Sequence, residues 1–97
     1  MKTKSEILDS LKKELPHLKE KFNVKSIGLF GSYIRGKQSK KSDIDILVEF
    51  KESIGLFGFV ELENYLSGKF GKKVDLVTSD AIKPIIKPSI MKEAVYA

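Results

Sequence analysis

Apolar residues follow a helical period at the start of the chain. They recur three and four positions apart, at Ile7, Leu8, Leu11, Leu15, Leu18 and Phe22. This spacing is typical of a helix that buries one face. Thr3 and Glu6 stand three positions apart in front of this run and predict a capping box. Pro16 lacks the N–H that a helix interior uses, so we expect a kink or a break there.

The middle of the chain changes to a period of two, which predicts strands. Residues 24–30 form the first predicted strand, residues 43–50 the second and residues 74–78 the third. In the second strand, Ile44, Ile46, Val48 and Phe50 fall on one face. Asp43 and Asp45 fall on the opposite face, because side chains of a strand alternate. In the third strand, Asp75 faces away from Val74 and Leu76.

The segments between these strands predict short helices and loops. Residues 32–35 allow a turn or two of helix, and residues 37–42 are polar and basic and predict a loop. A second long helix is predicted over residues 56–66, with Gly68 and Gly71 ending it. Pro84 and Pro88 interrupt the last segment, for which we predict a helix over residues 85–95.

The alternation of strands and helices predicts an α/β (α+β) fold in one domain spanning residues 1–97. We expect a small mixed sheet of three strands, with room for a fourth, and helices mainly on one face. The other face is then left open. It carries Asp43, Asp45 and Asp75.

Composition narrows the class of protein. Of the 97 residues, 41% are hydrophobic and 32% are charged, as in soluble globular proteins. No apolar run approaches the ~20 residues of a membrane span, and the first residues lack the apolar core of a signal peptide. The chain has no cysteine, so disulfides and thiolate metal sites are excluded. We therefore expect a cytoplasmic protein, and its net charge of +5 favours a polyanionic ligand.

The three aspartates carry the candidate chemistry. An Asp-x-Asp pair alone is more often a solvated face than a metal site. Asp75 changes this, because aspartate is a poor strand former and a third one recurs within an apolar frame. Carboxylates on one face repel unless a cation lies between them. Three that converge could hold two magnesium ions about 3.5–4 Å apart, the arrangement used for in-line phosphoryl displacement.

Two other motifs fit poorly. A calcium loop that begins at Asp43 would need an oxygen ligand and a glycine where Leu47 and Val48 stand. Gly31 and Gly36-Lys37 match most of a P-loop, but the next residue is Gln38 instead of serine or threonine. Both interpretations are rejected.

A glycine-serine turn stands at a fixed distance from the aspartates. Gly31-Ser32 lies between a strand and a short helix, where backbone N–H groups can receive phosphate, and ten residues separate it from Asp43-Ile44-Asp45. Three segments carry a family resemblance: Leu29-Phe30-Gly31-Ser32-Tyr33-Ile34-Arg35-Gly36, Ser42-Asp43-Ile44-Asp45-Ile46-Leu47-Val48 and Lys73-Val74-Asp75-Leu76-Val77-Thr78. Together they resemble the minimal nucleotidyltransferases, or MntA-type antitoxins, of the DNA polymerase beta superfamily. Ile34 departs from the alanine that is usual there.

The resemblance implies a role for each site residue. Gly31 and Ser32 would bind the β- and γ-phosphates of ATP. Asp43 and Asp45 would hold two Mg²⁺ ions, and Asp75 would complete the metal site and help to activate the attacking hydroxyl. Arg35 and Ser42 are candidates for further phosphate contacts, and a solvated salt bridge is an equal alternative for Arg35.

The resemblance also implies a reaction and a partner. AMP would pass from ATP to a hydroxyl, expected to be a tyrosine of a HEPN-type RNase toxin that forms a hetero-oligomer with this chain. Two alternatives remain open. One is an antitoxin that only binds its partner, and the other is transfer to an RNA end or a small molecule. No membrane association is expected, and direct nucleic-acid binding is disfavoured but left open.

Overall fold

The computed structural model describes residues 3–97, which form one mixed α/β layer structure. The helices are α1 (Lys4–Phe22), α2 (Ser32–Arg35), α3 (Gly55–Phe70) and α4 (Lys87–Glu93). The strands are β1 (Val24–Phe30), β2 (Ile44–Phe50), β3 (Val74–Thr78) and β4 (Val95–Tyr96). A single 3₁₀ turn, Ser79–Ala81, follows β3. Within the described residues, no helix is long and apolar enough to cross a bilayer.

Helix α1 begins at the predicted capping box. The Thr3 hydroxyl accepts from the Glu6 N–H, and the Glu6 carboxylate accepts from the Thr3 N–H, both at 3.2 Å. The predicted break at Pro16 is wrong, because α1 continues through this residue to Phe22. Leu11 and Leu18 are fully buried on either side of Pro16, so packing holds the two halves in one helix.

The four strands form one sheet in the order β3-β2-β1-β4. Strand β1 is antiparallel to both β2 and β4, whereas β2 and β3 are parallel. The predicted mixed α/β sheet is confirmed, and it has the fourth strand. Strand β2 begins at Ile44, so Asp43 lies immediately before the strand instead of within it.

The main core lies between one face of the sheet and the helices α1 and α3. Its fully buried members are Ile7, Leu11, Leu18, Val24, Ile27, Leu29, Ile44, Ile46, Val48, Leu62 and Leu66. The expectation of an open opposite face is only partly right. Phe30, Leu47 and Ile82 form a second buried cluster there. Ile90, Met91 and Ala94 cover this cluster from the C-terminal segment.

Two predicted helix bounds are wrong. Helix α3 continues past Gly68 to Phe70, and only Gly71, the second of the two predicted stops, ends it as a C-cap in the left-handed conformation with φ 62°. The last helix is confined to Lys87–Glu93, and Val95 belongs to β4. Proline is accepted in a first helical turn, so Pro88 lies at the start of α4. Ala94 is extended, with ψ 137°, which turns the chain into the sheet.

Candidate active site

Asp45 lies at the centre of the site because of its position in the sheet. The antiparallel register pairs Asp45 with Phe30, the residue directly before the Gly31-Ser32 turn. The parallel register pairs Asp45 with Asp75 on the other side. The two predicted ends of the site, the turn and the third aspartate, therefore lie on either side of one residue of β2.

Gly31 lets the turn approach Asp45 closely. Its φ of 76° is a conformation that side chains other than glycine rarely adopt. A Cβ atom at this position would collide with the Oδ2 atom of Asp45. Both the turn and its contact with the carboxylate therefore require glycine here.

The carboxylate of Asp45 is held in an unfavourable setting. Its partial burial raises its pKa, and the nearby charges of Asp75 and Asp43 raise it further. The charge of Arg35 and a backbone hydrogen bond from Ser32 oppose these effects. The negative charges of Asp43 and Asp75 thus both disfavour ionised Asp45, and a cation between such carboxylates would relieve the repulsion.

One open hollow of about 540 Å³ brings most of the predicted residues together. Its polar side is formed by Gly31, Ser32, Arg35, Asp45 and Asp75. Its apolar side is formed by Phe30, Val77, Ile82, Ile86 and Ile90, beside Ala81 and Lys83. The hollow thus offers a charged end, suited to phosphates and cations, next to an apolar wall.

Asp43 and Ser42 lie outside the lining of this hollow. The Asp43 carboxylate is 3.9 Å from the ammonium of Lys73, and both groups are substantially exposed. The Ser42 hydroxyl accepts from the Ser39 N–H at 2.9 Å and so closes the basic loop upon itself. Lys72 donates to the carbonyls of Ser39 and Lys40, which fastens that loop to the segment before β3.

The carboxylate oxygens of Asp45 and Asp75 are ligands of the kind that magnesium prefers. Within residues 3–97, no group of three or more acidic or histidine side chains forms a ready-made metal cluster. Magnesium rarely needs one, because it is usually held by one or two carboxylates together with substrate phosphates. The repelling pair Asp45 and Asp75 beside an open hollow fits that arrangement.

The sequence prediction gave no role to Glu93, although this residue contacts the site. One of its oxygens accepts from the Gly31 N–H at 3.3 Å, and the other accepts from Arg35 Nε at 2.6 Å. Arg35 therefore forms the salt bridge that was one of its two predicted roles, and its phosphate contact stays a prediction. The hydrogen bond from Arg35 is the main cause that lowers the pKa of Glu93, and the Gly31 N–H adds to it. No periodicity marks Glu93, because its partners lie 58 and 62 positions away.

Curated relatives share nearly the whole chain. A protein of Methanocaldococcus jannaschii, named provisionally as a protein adenylyltransferase, is 58% identical over 97 residues, and the match covers 99% of each chain. The protein adenylyltransferase MntA of Thermococcus cleftensis is 47% identical over 90 residues, which cover 93% of this chain and 88% of that one.

Solved structures show the same fold. One, described provisionally as a minimal nucleotidyltransferase, has a TM-score of 0.76 at 28% identity and covers 91% of this chain and 93% of its own. A toxin–antitoxin structure with AMP-PNP has a TM-score of 0.72 at 27% identity and covers 88% and 69%.

The family model for the nucleotidyltransferase domain matches residues 8–97. This match includes the turn, β2, β3 and Glu93, and it confirms the resemblance that the three motif segments carried. The chain belongs to the nucleotidyltransferase family and shares the fold of the minimal nucleotidyltransferases.

Proposed function

We propose that this nucleotidyltransferase transfers AMP from ATP to a hydroxyl group of a partner protein. The partner is a HEPN-type RNase toxin, the acceptor is a tyrosine of that toxin, and the modification neutralises it. The chain is then the antitoxin of a hetero-oligomeric pair, and the reaction takes place in the cytoplasm.

The observation that carries this proposal is the single hollow shared by the Gly31-Ser32 turn and the Asp45–Asp75 pair. Nucleotidyl transfer needs donors for the phosphates and carboxylates for a divalent cation within one ligand length of each other. The register of β2 with both of its neighbours supplies this juxtaposition through the fold itself.

The residues have distinct roles in the proposed reaction. The Gly31-Ser32 turn binds the β- and γ-phosphates through Ser32 and through the guanidinium donors that Arg35 keeps free, where negative charge accumulates on the leaving group. The Gly31 N–H itself donates to Glu93 and holds the turn in place. The acceptor oxygen bonds to the α-phosphorus, the bond to the bridging oxygen breaks, and pyrophosphate leaves. Asp75 helps to activate the acceptor hydroxyl by taking up the proton that this hydroxyl loses.

Magnesium would be held by Asp45 and Asp75, with Asp43 at the edge of the site and phosphate oxygens completing the coordination. When bound, it would supply charge stabilisation for the transferred phosphoryl group and its leaving oxygen. The fold contributes the fixed, mutually repelling carboxylates that make cation binding favourable.

The choice of nucleotide and partner is supported by relatives. Two curated relatives are named protein adenylyltransferases, and one of them is MntA. A neighbour with the same fold was solved as a toxin–antitoxin with AMP-PNP, an ATP analogue. These likenesses support ATP as the donor and a toxin as the partner, and the resemblance of the motifs supports a HEPN toxin.

A labelling experiment tests the proposal. The chain is incubated with a candidate HEPN toxin, Mg²⁺ and ATP labelled on the α-phosphate, with γ-labelled ATP in a parallel reaction. We expect only the α-label to reach the toxin, on tyrosine, and RNA cleavage by the toxin to fall as label accumulates.

Matched variants separate enzymatic from binding antitoxin activity. Asp45→Asn and Asp75→Asn should abolish both labelling and neutralisation, whereas Asp9→Asn, an equal charge change on the exposed side of α1, should alter neither. If toxin inhibition survives in the Asp45→Asn and Asp75→Asn variants without any label, the chain is a binding antitoxin and the proposed reaction is wrong.

A further inference from the structure

One carboxylate joins both ends of the short helix α2 to the C-terminal segment. Glu93 is the last residue of α4, and its two oxygens accept from Gly31 at the start of α2 and from Arg35 at its end. Its side chain is only 21% exposed, whereas that of Arg35 is 57% exposed. Glu93 is therefore the sheltered partner that holds an exposed arginine in place.

Glu93 lies in a hollow that adjoins the one at the turn, since Arg35, Ile86 and Ile90 line both. The hollow shared by Ser32, Asp45 and Asp75 does not have Glu93 in its lining. Glu93 lines a second hollow of about 360 Å³, together with Ile86, Ser89 and Ile90. This placement favours a support for the phosphate-binding groups over a carboxylate that occupies the position of the phosphate.

We propose that Glu93 is a positioning residue for nucleotide binding, which fixes the Gly31 backbone and the Arg35 guanidinium for the triphosphate. This inference rests on the proposed function. An arginine that is free in solvent loses much side-chain freedom when it binds a ligand. A carboxylate that already holds its Nε reduces this cost and leaves the remaining guanidinium donors for phosphate oxygens.

Two groups donate hydrogen bonds to Glu93, and this makes its proposed role specific to a carboxylate. Gly31 N–H and Arg35 Nε both donate, so two acceptor oxygens are needed. Glutamine has one acceptor oxygen and a donor NH₂, so Glu93→Gln preserves size but can satisfy only one of the two groups.

The test compares the affinities of wild type, Glu93→Gln and Glu93→Asp for AMP-PNP and for AMP, measured by calorimetry with Mg²⁺. We expect Glu93→Gln to weaken AMP-PNP binding about tenfold, as loss of a charge-assisted hydrogen bond would. Its affinity for AMP should be unchanged, because AMP lacks the phosphates that the turn and Arg35 receive. Glu52→Gln, an equal charge change on an exposed residue beyond the far end of β2, is the matched control.

Each outcome decides between named alternatives. Equal losses for AMP-PNP and AMP in both Glu93 variants would mean a purely structural contact, and unchanged AMP-PNP affinity would mean none; either result overturns the role of Glu93. On an Arg35→Ala background, Glu93→Gln should have an effect several-fold smaller if it acts through Arg35. A wild-type chain that binds neither nucleotide would instead overturn the proposed function.

Discussion

At the scale of single residues, the site concentrates on Asp45. Its carboxylate is partly buried, lies between the Gly31 turn and Asp75, and has a raised pKa because of burial and its acidic neighbours. A raised pKa means that the folded state disfavours the ionised form. At neutral pH the charge on Asp45 therefore reduces the stability of the ligand-free fold. This cost is consistent with the cation-binding role proposed for Asp45.

Asp45→Asn should separate stability from activity. Asparagine keeps the shape and an acceptor for Ser32, but it removes the repulsion with Asp75 and Asp43. We expect the free energy of unfolding in urea at pH 7 to rise by about 1 kcal/mol while AMP transfer is lost. Asp9→Asn serves as the exposed control. A marked loss of stability in Asp45→Asn would show that the ionised carboxylate supports the fold instead.

Gly31→Ala should destabilise the fold more than an equivalent change elsewhere. Alanine in the left-handed helical region costs roughly 1 kcal/mol. Gly71→Ala carries only this cost, since its φ is 62° and no atom lies within 4 Å of the added Cβ. Gly31→Ala adds the collision with Asp45 and a backbone conformation, φ 76° and ψ −147°, that is essentially confined to glycine. Its free energy of unfolding should therefore fall further, and AMP-PNP binding should be lost. Equal destabilisation of the two variants would contradict this close approach.

The sequence could predict the aspartates but could not predict Glu93. Asp45 and Asp75 were visible because a strand has a period of two, so their face follows from their apolar neighbours. The support from Glu93 depends on where α4 lies in space, and that in turn depends on β4 pairing with β1. The spacing of residues within one segment cannot predict that β4 pairs with β1. The roles of all the site residues stay predictions. The structure brings Gly31, Ser32, Arg35, Asp45 and Asp75 into one hollow, which neither Asp43 nor Ser42 lines.

At the scale of elements, α1 and α3 are joined by a polar cluster above the core. The Tyr65 hydroxyl donates to Glu14 at 2.7 Å, and the Lys69 ammonium lies 2.9 Å from the other Glu14 oxygen. The imidazole of His17 stacks at a tilt against Tyr65, with ring centroids 5.6 Å apart. These contacts lower the pKa of Glu14, the hydrogen bond from Tyr65 most strongly and the one from Lys69 next.

This cluster should make stability depend on pH. A carboxylate with a lowered pKa stabilises the fold above its ordinary value of 4.5, and the contribution disappears as the pH falls through the lower folded value. Glu14→Gln should therefore reduce the free energy of unfolding by about 1 kcal/mol at pH 7 and by much less near pH 3. Urea denaturation at both pH values measures the difference, with exposed Glu20→Gln as control. A loss that stays constant with pH would exclude a role for the ionised form.

Two helix bounds, at the ends of α3 and α4, could not be predicted from the local sequence pattern. The glycine signal at position 68 predicted the end of α3 too early, because Phe70 packs into the core and extends the helix by a further turn. Val95 was apolar in a plausible helical register, yet it pairs with Leu29 as an edge strand. In both cases tertiary contacts, which a local pattern does not contain, decided the conformation.

At the scale of the whole molecule, the site lies on the face of the sheet that carries the second buried cluster, opposite the main core. The main core packs against one face of β2. The small cluster around Leu47 packs against the other face, which is also the face of Asp45. The mixed sheet was predictable from alternating strands and helices. The second cluster was not, because Ile82 and Ile90 lie in a proline-containing segment without clear periodicity. That cluster also supplies the apolar wall of the hollow.

Nucleotide binding at this site should stabilise the entire fold. A ligand that binds only the folded state at 100 times its dissociation constant adds about 2.7 kcal/mol, which for a domain of this size raises the melting temperature by on the order of 10 °C. We expect AMP-PNP with Mg²⁺ to produce such a shift, and EDTA to remove most of it, since the repelling carboxylates need the cation before they accept phosphate. Asp45→Asn should lose the shift and Asp9→Asn should keep it. If EDTA left the shift unchanged in the wild-type chain, the phosphates would be held by the turn and Arg35 alone, and the metal role of Asp45 and Asp75 would be wrong.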